Sequence, residues 1–319
     1  MIKSEAIVVG GGPAGSTCAW KLNLNGICTI VLDKKRFPRL KVCAGWITPK
    51  VLRDLRLKKE EYPYSFLTFD RFNFHIFGKR FSVRTRQHSI RRYEFDQWLL
   101  KRANVPVKEH AVKDIRKEAG YYIIDDTFRC KYLVGAGGAN CPVYRTFFRK
   151  AAPRNRKRLI TAIEEEFRYD YQDANCYLWF FDRKLPGYSW YLPKGSGYLN
   201  VGIGGKFSAI KNRGETIRGH WNYFIKKLNA LSLVKDRSFS PRGYNYYLRQ
   251  AAKTVQKDNS FIIGDAAGLA TLDMGEGIGP AVESGILCAN AIINGTRYSP
   301  GSVTRYSLKL LNILSSWWK

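Results

Sequence analysis

The sequence predicts an α/β fold: a discontinuous Rossmann-type nucleotide-binding domain, interrupted by antiparallel β-sheet that forms a second, substrate-facing domain. Three observations predict it. Ala6-Ile7-Val8-Val9 is a buried-strand run that meets Gly10-Gly11-Gly12-Pro13-Ala14-Gly15; a helical stretch to Leu24 follows, and then a second apolar run, Cys28–Leu32, closing on Asp33. That is a βαβ unit. Far downstream, Ser260-Phe261-Ile262-Ile263 returns to parallel-strand character and ends in Gly264-Asp265, with a helix expected over 277–294. Between these ends lie segments that alternate aromatic and polar residues, the period of half-buried strands. Residues 1–62, 88–158 and 255–296 are therefore read as the nucleotide-binding domain, 63–87 and 159–254 as the substrate domain, and 297–319 as a C-terminal helical tail.

The elements follow in order. Gly26 ends the first helix. Residues 34–60 are basic and carry Pro38 and Pro49, which suits a loop with a short helix. Phe66, Phe69, Phe72, Phe74 and Ile76 mark strands over 66–83; 92–103 reads as a helix, and 105–134 as short strands ending in Tyr132-Leu133-Val134. After a basic linker over 151–158, four strands are expected at 160–169, 175–181, 187–193 and 197–204, as an antiparallel meander, and then an amphipathic helix over 214–230. No internal repeat interrupts this pattern.

Composition narrows the function classes. With 319 residues, 45% of them hydrophobic, the chain can bury the cores of two intertwined domains. Its seven cysteines are odd in number and form no C-x-x-C pair, which argues against a disulfide framework or a zinc site and suits a reducing cytosol. The four histidines show no metal-ligand spacing, so no metal is expected. Met1-Ile2-Lys3 runs straight into the first strand, so no signal peptide is expected. No apolar run approaches the ~20 residues of a membrane span. The formal net charge is +28. Such a field attracts nucleic acid, anionic lipid or an acidic partner. No nucleic-acid signature accompanies it, so nucleic acid is not expected. A solvated basic surface and a peripheral position on an anionic membrane, at its cytoplasmic face, both remain open. The tail Leu308–Lys319, apolar and ending in Trp317-Trp318-Lys319, suits either an interfacial segment or a helix packed on the body.

Three motifs carry chemistry. Gly10, Gly12 and Gly15 give G-x-G-x-x-G between strand and helix: a tight turn, a close backbone approach for a pyrophosphate, and close helix–strand packing. The helix N-terminus faces the phosphates, and Asp33 at the end of the second strand suits a ribose hydroxyl pair. Arg92-Tyr93-Glu94-Phe95-Asp96-Gln97-Trp98-Leu99 fits R-x-x-F-D-x-x-L at a helix start, where an arginine can meet a pyrophosphate. Gly264-Asp265-Ala266-Ala267-Gly268, followed by Gly275-Glu276-Gly277-Ile278-Gly279, puts a carboxylate at a strand's C-terminal edge and exposed N–H groups at the start of a long helix.

In this order the three blocks resemble the p-hydroxybenzoate hydroxylase superfamily of FAD-dependent oxidoreductases, and most of all its geranylgeranyl reductase family. The resemblance covers nearly the whole chain. It implies one FAD, with Gly10, Gly12, Pro13, Ala14, Gly15, Asp33 and Lys34 at the ADP half, Arg92 near the pyrophosphate, and Asp265 after Gly264 on the ribityl chain or pyrophosphate. The backbone of Gly275, Gly277, Ile278 and Gly279 would lie beside the isoalloxazine. Lys41-Val42-Cys43-Ala44-Gly45 is similar to the family's K-x-C-G segment, which implies contacts from Lys41, Cys43 and Ala44; Cys43 is a candidate catalytic residue, with a small buried thiol as the plainer reading. Gly187-Tyr188-Ser189-Trp190-Tyr191-Leu192-Pro193 resembles the family's Y-x-W-x-F-P strand. Alternation sends Tyr188, Trp190 and Leu192 to one face, an apolar wall for a hydrophobic small-molecule or lipid substrate, and marks Tyr188 and Trp190 as catalytic candidates. One departure stands out: Gly137, in Gly135-Ala136-Gly137-Gly138, occupies the place of an aspartate that the superfamily associates with FAD and NAD(P)H. The electron donor is therefore left open between NAD(P)H and a ferredoxin-like acidic protein. The reading this supports is an FAD-dependent reductase of C=C bonds in a prenyl or other hydrophobic substrate. The alternatives are an FAD-dependent monooxygenase of an apolar or aromatic compound and a non-catalytic flavoprotein.

Overall fold

The computed structural model describes residues 1–250 and 254–308. The chain opens with β1 (Ile2–Val9), α1 (Pro13–Asn23) and β2 (Thr29–Asp33), then β3 (Trp46–Ile47), α2 (Pro49–Asp54), the hairpin β4 (Phe66–Ile76) and β5 (Lys79–Ile90), and α3 (Arg92–Arg102). Four strands follow: β6 (Val107–Glu109), β7 (Ile115–Glu118), β8 (Tyr121–Ile124) and β9 (Phe128–Gly135). The larger insert holds β10 (Leu159–Arg168), β11 (Cys176–Phe180), β12 (Gly187–Lys194), β13 (Tyr198–Lys206), α4 (Phe207–Asn212), α5 (Ile217–Ala230) and β14 (Arg242–Tyr247). The chain then returns through β15 (Gln256–Lys257), β16 (Ser260–Ile262) and α6 (Ile278–Ile293).

The strands sort into two sheets. The first runs β15-β16-β9-β1-β2-β6, with β16, β9, β1, β2 and β6 parallel and β7-β8 attached as an antiparallel hairpin beside β9. Its central strands are covered on both sides, which explains their continuous apolar runs: all five residues of β2 are buried. Small residues let the covering helices approach. A methyl group on Gly285 of α6 would lie 2.6 Å from the Ala14 carbonyl oxygen of α1. Downstream strand β16 docks beside β9 and next but one to β1, so residues more than 250 positions apart build one ligand edge.

The second sheet runs β14-β10-β13-β12-β11-β4-β5-β3. One face buries Ile163, Leu199, Val201, Ile203 and Tyr191 against Trp221, Phe224 and Leu228 of α5. That helix starts at Thr216, whose hydroxyl accepts the Gly219 N–H at 3.1 Å. The opposite face buries Trp46, Phe72, Phe74, Trp190 and Leu192 with Met274 of the returning segment.

Several expectations need correction. The insert sheet is not wholly antiparallel, because β11 pairs with β4 in parallel. The four expected strands do not form a simple meander: β11-β12-β13 does, but β10 adds beside β13. Local alternation specifies a strand's faces and is silent about its partner. The expected boundary at 87/88 falls inside β5, and β3, expected in the nucleotide-binding domain, pairs with β5 through Trp46 and Ser89. The helical tail expected over 297–319 is not met in residues 297–308, which form turns. Gly295, Pro300 and Gly301 oppose a helix there, and the backbone is held instead by side chains: Arg249 donates to the carbonyls of Pro300 and Val303 at 2.7 Å, and Asp273 accepts the N–H groups of Ser307 and Leu308 at 2.9 and 2.8 Å. The rest of the tail, with Trp317 and Trp318, lies outside the described residues. Among the described residues no helix is long and apolar enough to cross a membrane, and no cluster of three or more His, Cys, Asp or Glu is arranged to hold a metal.

Candidate active site

The glycine loop is shaped by what its glycines must avoid. Gly10 has φ +115°, and a Cβ there would sit 2.4 Å from the Ala136 carbonyl oxygen; one on Gly15 would sit 1.8 Å from the Gly10 carbonyl oxygen. Gly12 differs: the nearest atom to a Cβ is the Arg39 guanidinium at 3.5 Å, so its open side faces a cation rather than packed backbone. Pro13 and Ala14 open α1 behind it; no side chain caps that helix and no acid lies in its first turn. An uncapped helix N-terminus beside an arginine is a cradle for an anion. Asp33, nearly buried, accepts the N–H of Gly11 at 2.8 Å and of Lys35 at 3.0 Å, so it also staples the loop to β2. Lys34 is exposed beyond it.

Arg92 does not reach out alone. Its guanidinium makes a two-point pair with Asp96 one helical turn on, at 2.7 and 2.8 Å, and both groups are buried. Arg39 approaches the same carboxylate at 3.5 Å. The two arginines and one aspartate leave a net positive corner beside Gly12.

The downstream motif closes the other side. Gly264 takes φ +57° and donates its N–H to Ser284 of α6 at 3.0 Å. Asp265 remains partly exposed and accepts the Tyr244 hydroxyl at 3.3 Å. Lys41 reaches into the same space, its ammonium 2.8 Å from the centre of the Tyr244 ring; burial pushes it down to about 7, with Asp265 opposing and Arg92 adding to the shift. Gly275 has φ +62° and lies under the Tyr246 hydroxyl, and Gly277 lies against Asp265. Ile278 is buried with Ile47, Val51 and Phe95. One expectation changes here. The Gly279 N–H, expected to face a ligand, donates to Glu276 at 2.7 Å. Burial raises that carboxyl to about 8, against the pull of the helix N–H groups.

The Gly275 turn packs against the inner face of the second sheet, whose register can be read strand by strand. Trp190, Gly202, Glu164 and Arg242 share one cross-strand row; Tyr188, Gly204, Ala162 and Tyr244 form the next; Leu192, Asn200 and Glu166 lie on the other side. Tyr188, Trp190 and Leu192 thus point one way, while Tyr191 packs under α5. Glycine at 202 is what lets the indole lie flat: a Cβ there would be 2.1 Å from Trp190 Cζ2 and 2.8 Å from Glu164 Cβ. The indole N–H donates to Asn200 at 2.7 Å, and the Tyr188 hydroxyl donates to the Met274 carbonyl at 2.6 Å, joining the wall to the Gly275 turn. The segment of Cys43 and Ala44 runs between wall and nucleotide sheet: the Cys43 N–H donates to Glu164 at 2.5 Å, and the Cys43 thiol accepts the Gly45 N–H at 3.4 Å. Gly137 lies in the turn after β9, where a Cβ would crowd Cys141 Cα at 3.1 Å. Arg154 donates to Ala139 and Ala266, tying that turn to the Asp265 turn.

Four groups of the site escaped sequence reasoning. Glu164, Asn200, Tyr244 and Tyr246 all sit on the inner face, at the same parity as Ala162, Gly202 and Gly204. A signal existed: in a strongly basic chain, Glu164-Glu165-Glu166 inside an apolar strand puts two acids on one face. Which face is inner only the pairing decides.

A model of an NAD(P)-binding Rossmann-like domain matches residues 8–58. An uncharacterized protein of Methanosarcina barkeri is 30% identical over 92% of this chain and 75% of its own length. A digeranylgeranylglycerophospholipid reductase of Thermoplasma volcanium is 26% identical, covering 95% and 82%. The crystal structure of a geranylgeranyl bacteriochlorophyll reductase-like protein of Thermoplasma acidophilum superposes with a TM-score of 0.81 at 21% identity, over 92% of this chain and 79% of that one. Fold, motif order and kinship agree: this chain belongs to the geranylgeranyl reductase family of FAD-dependent oxidoreductases.

Proposed function

We propose that this protein reduces C=C bonds of a prenyl chain or another hydrophobic substrate held against the Tyr188–Trp190–Leu192 wall. The observation that supports the reading is the glycine-cleared aromatic wall tied directly to the Gly275 turn by the Tyr188–Met274 hydrogen bond, with Asp265 on the adjacent turn. The residues fit FAD. Gly12 and the uncapped start of α1 would take the pyrophosphate with Arg39 and Arg92, and Asp33 would meet the ribose. The adenosine would lie toward the cavity of about 750 Å³ lined by Lys35, Arg36, Phe37, Gln97 and Val107. Asp265 would hold the ribityl side, and a diphosphate near Lys41 would restore its charge. When bound, the flavin supplies two electrons as a hydride. The protein's part is to orient and to dry the site: Trp190 fixes the substrate plane through its bond to Asn200, and Tyr188, whose phenol burial keeps neutral, locks the wall to the turn. Cys43 borders the reacting region.

Electron supply is proposed to come from an acidic carrier of ferredoxin type, with NAD(P)H as the competing donor. The +28 charge and Gly137 in place of an aspartate support the carrier. A peripheral site on an anionic membrane is supported by the β4–β5 hairpin, where exposed Phe81 stands among Lys79, Arg80 and Arg84. The test is anaerobic: photoreduced holoprotein is mixed with geranylgeranyl lipids, flavin reoxidation is followed by absorbance, and products are analysed by mass spectrometry. Reoxidation with addition of two hydrogens per double bond is expected. Flavin that stays reduced with every prenyl lipid, yet reoxidises in air while an apolar compound gains oxygen, would replace this reading with the monooxygenase.

A further inference from the structure

Glu164 is a buried acid whose surroundings no cofactor motif explains. It is 6% exposed, and it sits on the inner face of β10, in one row with Gly202 and Trp190. Because residue 202 has no side chain, the Trp190 indole and the Glu164 Cβ both lie over its Cα, within 2.1 and 2.8 Å of where a Cβ would stand. One carboxyl oxygen accepts the Cys43 N–H at 2.5 Å. The other, Oε2, is buried and makes no well-formed hydrogen bond among the described residues; its nearest polar influence is the Asn200 side chain, whose Nδ2 is likewise buried and otherwise unused. A carboxylate in that state pays a large desolvation cost, whereas a carboxylic acid carries a proton on that oxygen, ready for a ligand.

The neighbours set the balance between the two forms. Burial is the largest influence and raises the group to about 7; Glu166 acts the same way, while Lys194, the Cys43 N–H and Asn200 hold it down. Lys194 is fully buried and bonds Glu166 at 2.5 Å, and Glu166 in turn takes the Arg91 guanidinium at 2.8 Å. Near neutrality both forms are thus in reach, and the conjugate base has an ammonium and an amide N–H at hand. That is the balance a general acid needs.

We infer that Glu164 is the catalytic proton donor of the double-bond reduction, acting through its buried Oε2. The inference rests on the reductase reading. The step would balance: the O–H bond of Glu164 would break and its proton form the new C–H bond at one olefinic carbon, while the other carbon would receive the hydride that a bound, reduced flavin supplies. The carboxylate left behind, stabilised by Lys194 and the Cys43 N–H, recovers a proton from solvent before the next turnover. This assigns Cys43 a positioning part through its backbone, whatever its thiol does.

The test uses flavin-loaded full-length wild type, Glu164→Gln and Glu164→Asp, each with flavin content and reduced spectrum measured first. Single-turnover reoxidation by a prenyl lipid is followed from pH 5 to 9, with deuterium uptake from D2O read in the product by mass spectrometry. The charged and titratable groups around the site are Lys194, Glu166, Arg242, Tyr246, Cys43 and Lys41, and Lys41 titrates in the same window, so the comparison between variants is what counts. In wild type the rate falls as pH rises through about 7, since the acid form is lost. Gln keeps the shape and the acceptor for the Cys43 N–H but has no acid; its rate drops roughly 100-fold or more and the falling limb disappears. Asp keeps a limb with a displaced midpoint. A Gln variant with the wild-type limb, or with a rate within threefold of wild type, overturns the assignment. Should the Gln variant fail to hold flavin, an Asp variant with an unmoved midpoint overturns it equally. Wild type that turns over no prenyl lipid refutes the reductase reading instead, a different outcome.

Discussion

Gly202→Ala is the most pointed test of the aromatic wall. The added Cβ would sit 2.1 Å from Trp190 Cζ2 and 2.8 Å from Glu164 Cβ. Carbon–carbon contacts prefer about 3.5–4.0 Å, so the indole has to move by more than about 1 Å. It cannot do so freely, because its N–H is held by Asn200 at 2.7 Å and its ring borders Tyr188 and Leu178. Overpacking of this kind costs about 1–3 kcal/mol, and loss of the indole hydrogen bond about 1 kcal/mol more. The expected destabilisation is therefore about 2–4 kcal/mol, read as a lower urea midpoint at unchanged slope. FAD content of the folded protein should be preserved, because the glycine loop belongs to the other sheet, while prenyl-lipid turnover falls. The cause is isolated by a cycle with Trp190→Phe: the smaller ring leaves room for the methyl, so the double variant should be less destabilised than the sum by at least about 1 kcal/mol. A Gly202→Ala protein within 0.5 kcal/mol of wild type (the spread of about 0.5 kcal/mol for neutral substitutions), or strict additivity with Trp190→Phe, would refute the reasoning.

Three further outcomes follow from the geometry. Gly15→Ala puts a methyl 1.8 Å from the Gly10 carbonyl oxygen and should cost about 3 kcal/mol and abolish FAD retention, checked by flavin absorbance after gel filtration. Glu276, ordinarily near 4.5 and raised to about 8 in the fold, binds a proton that the unfolded chain releases between those values. Its contribution is fully present below about 4.5 and is lost as pH rises toward 8, by up to about 1.4 kcal/mol per unit; urea midpoints at pH 5, 7 and 9 should show this slope in wild type and a flatter one in Glu276→Gln. Tyr188→Phe removes the donor to the Met274 carbonyl and should cost about 1 kcal/mol, with turnover reduced more than flavin content because the wall is no longer tied to the turn.

How much of this was legible beforehand varies by residue. The βαβ unit at 1–33 and the downstream strand and helix were readable because buried parallel strands are locally apolar and glycine positions follow backbone geometry. The shared face of Tyr188, Trp190 and Leu192 was readable from alternation. Glu164 was not, because parity assigns it a face without saying that Gly202 and Trp190 lie beside it. Nor was the Glu276 cap on Gly279, which spends a donor that a motif alone leaves free.

The sequence by itself determined the nucleotide-binding architecture, its discontinuity and its kinship, since these depend on period, glycine spacing and motif order within short stretches. Tertiary structure alone decided the partners across long distances: β10 beside β13, β4 parallel to β11, Lys41 over Tyr244, and a carboxyl 121 positions away on the Cys43 N–H. The physical reason is that local periodicity specifies which way a side chain points, whereas the charge state and reactivity of a buried group depend on what the rest of the chain brings against it.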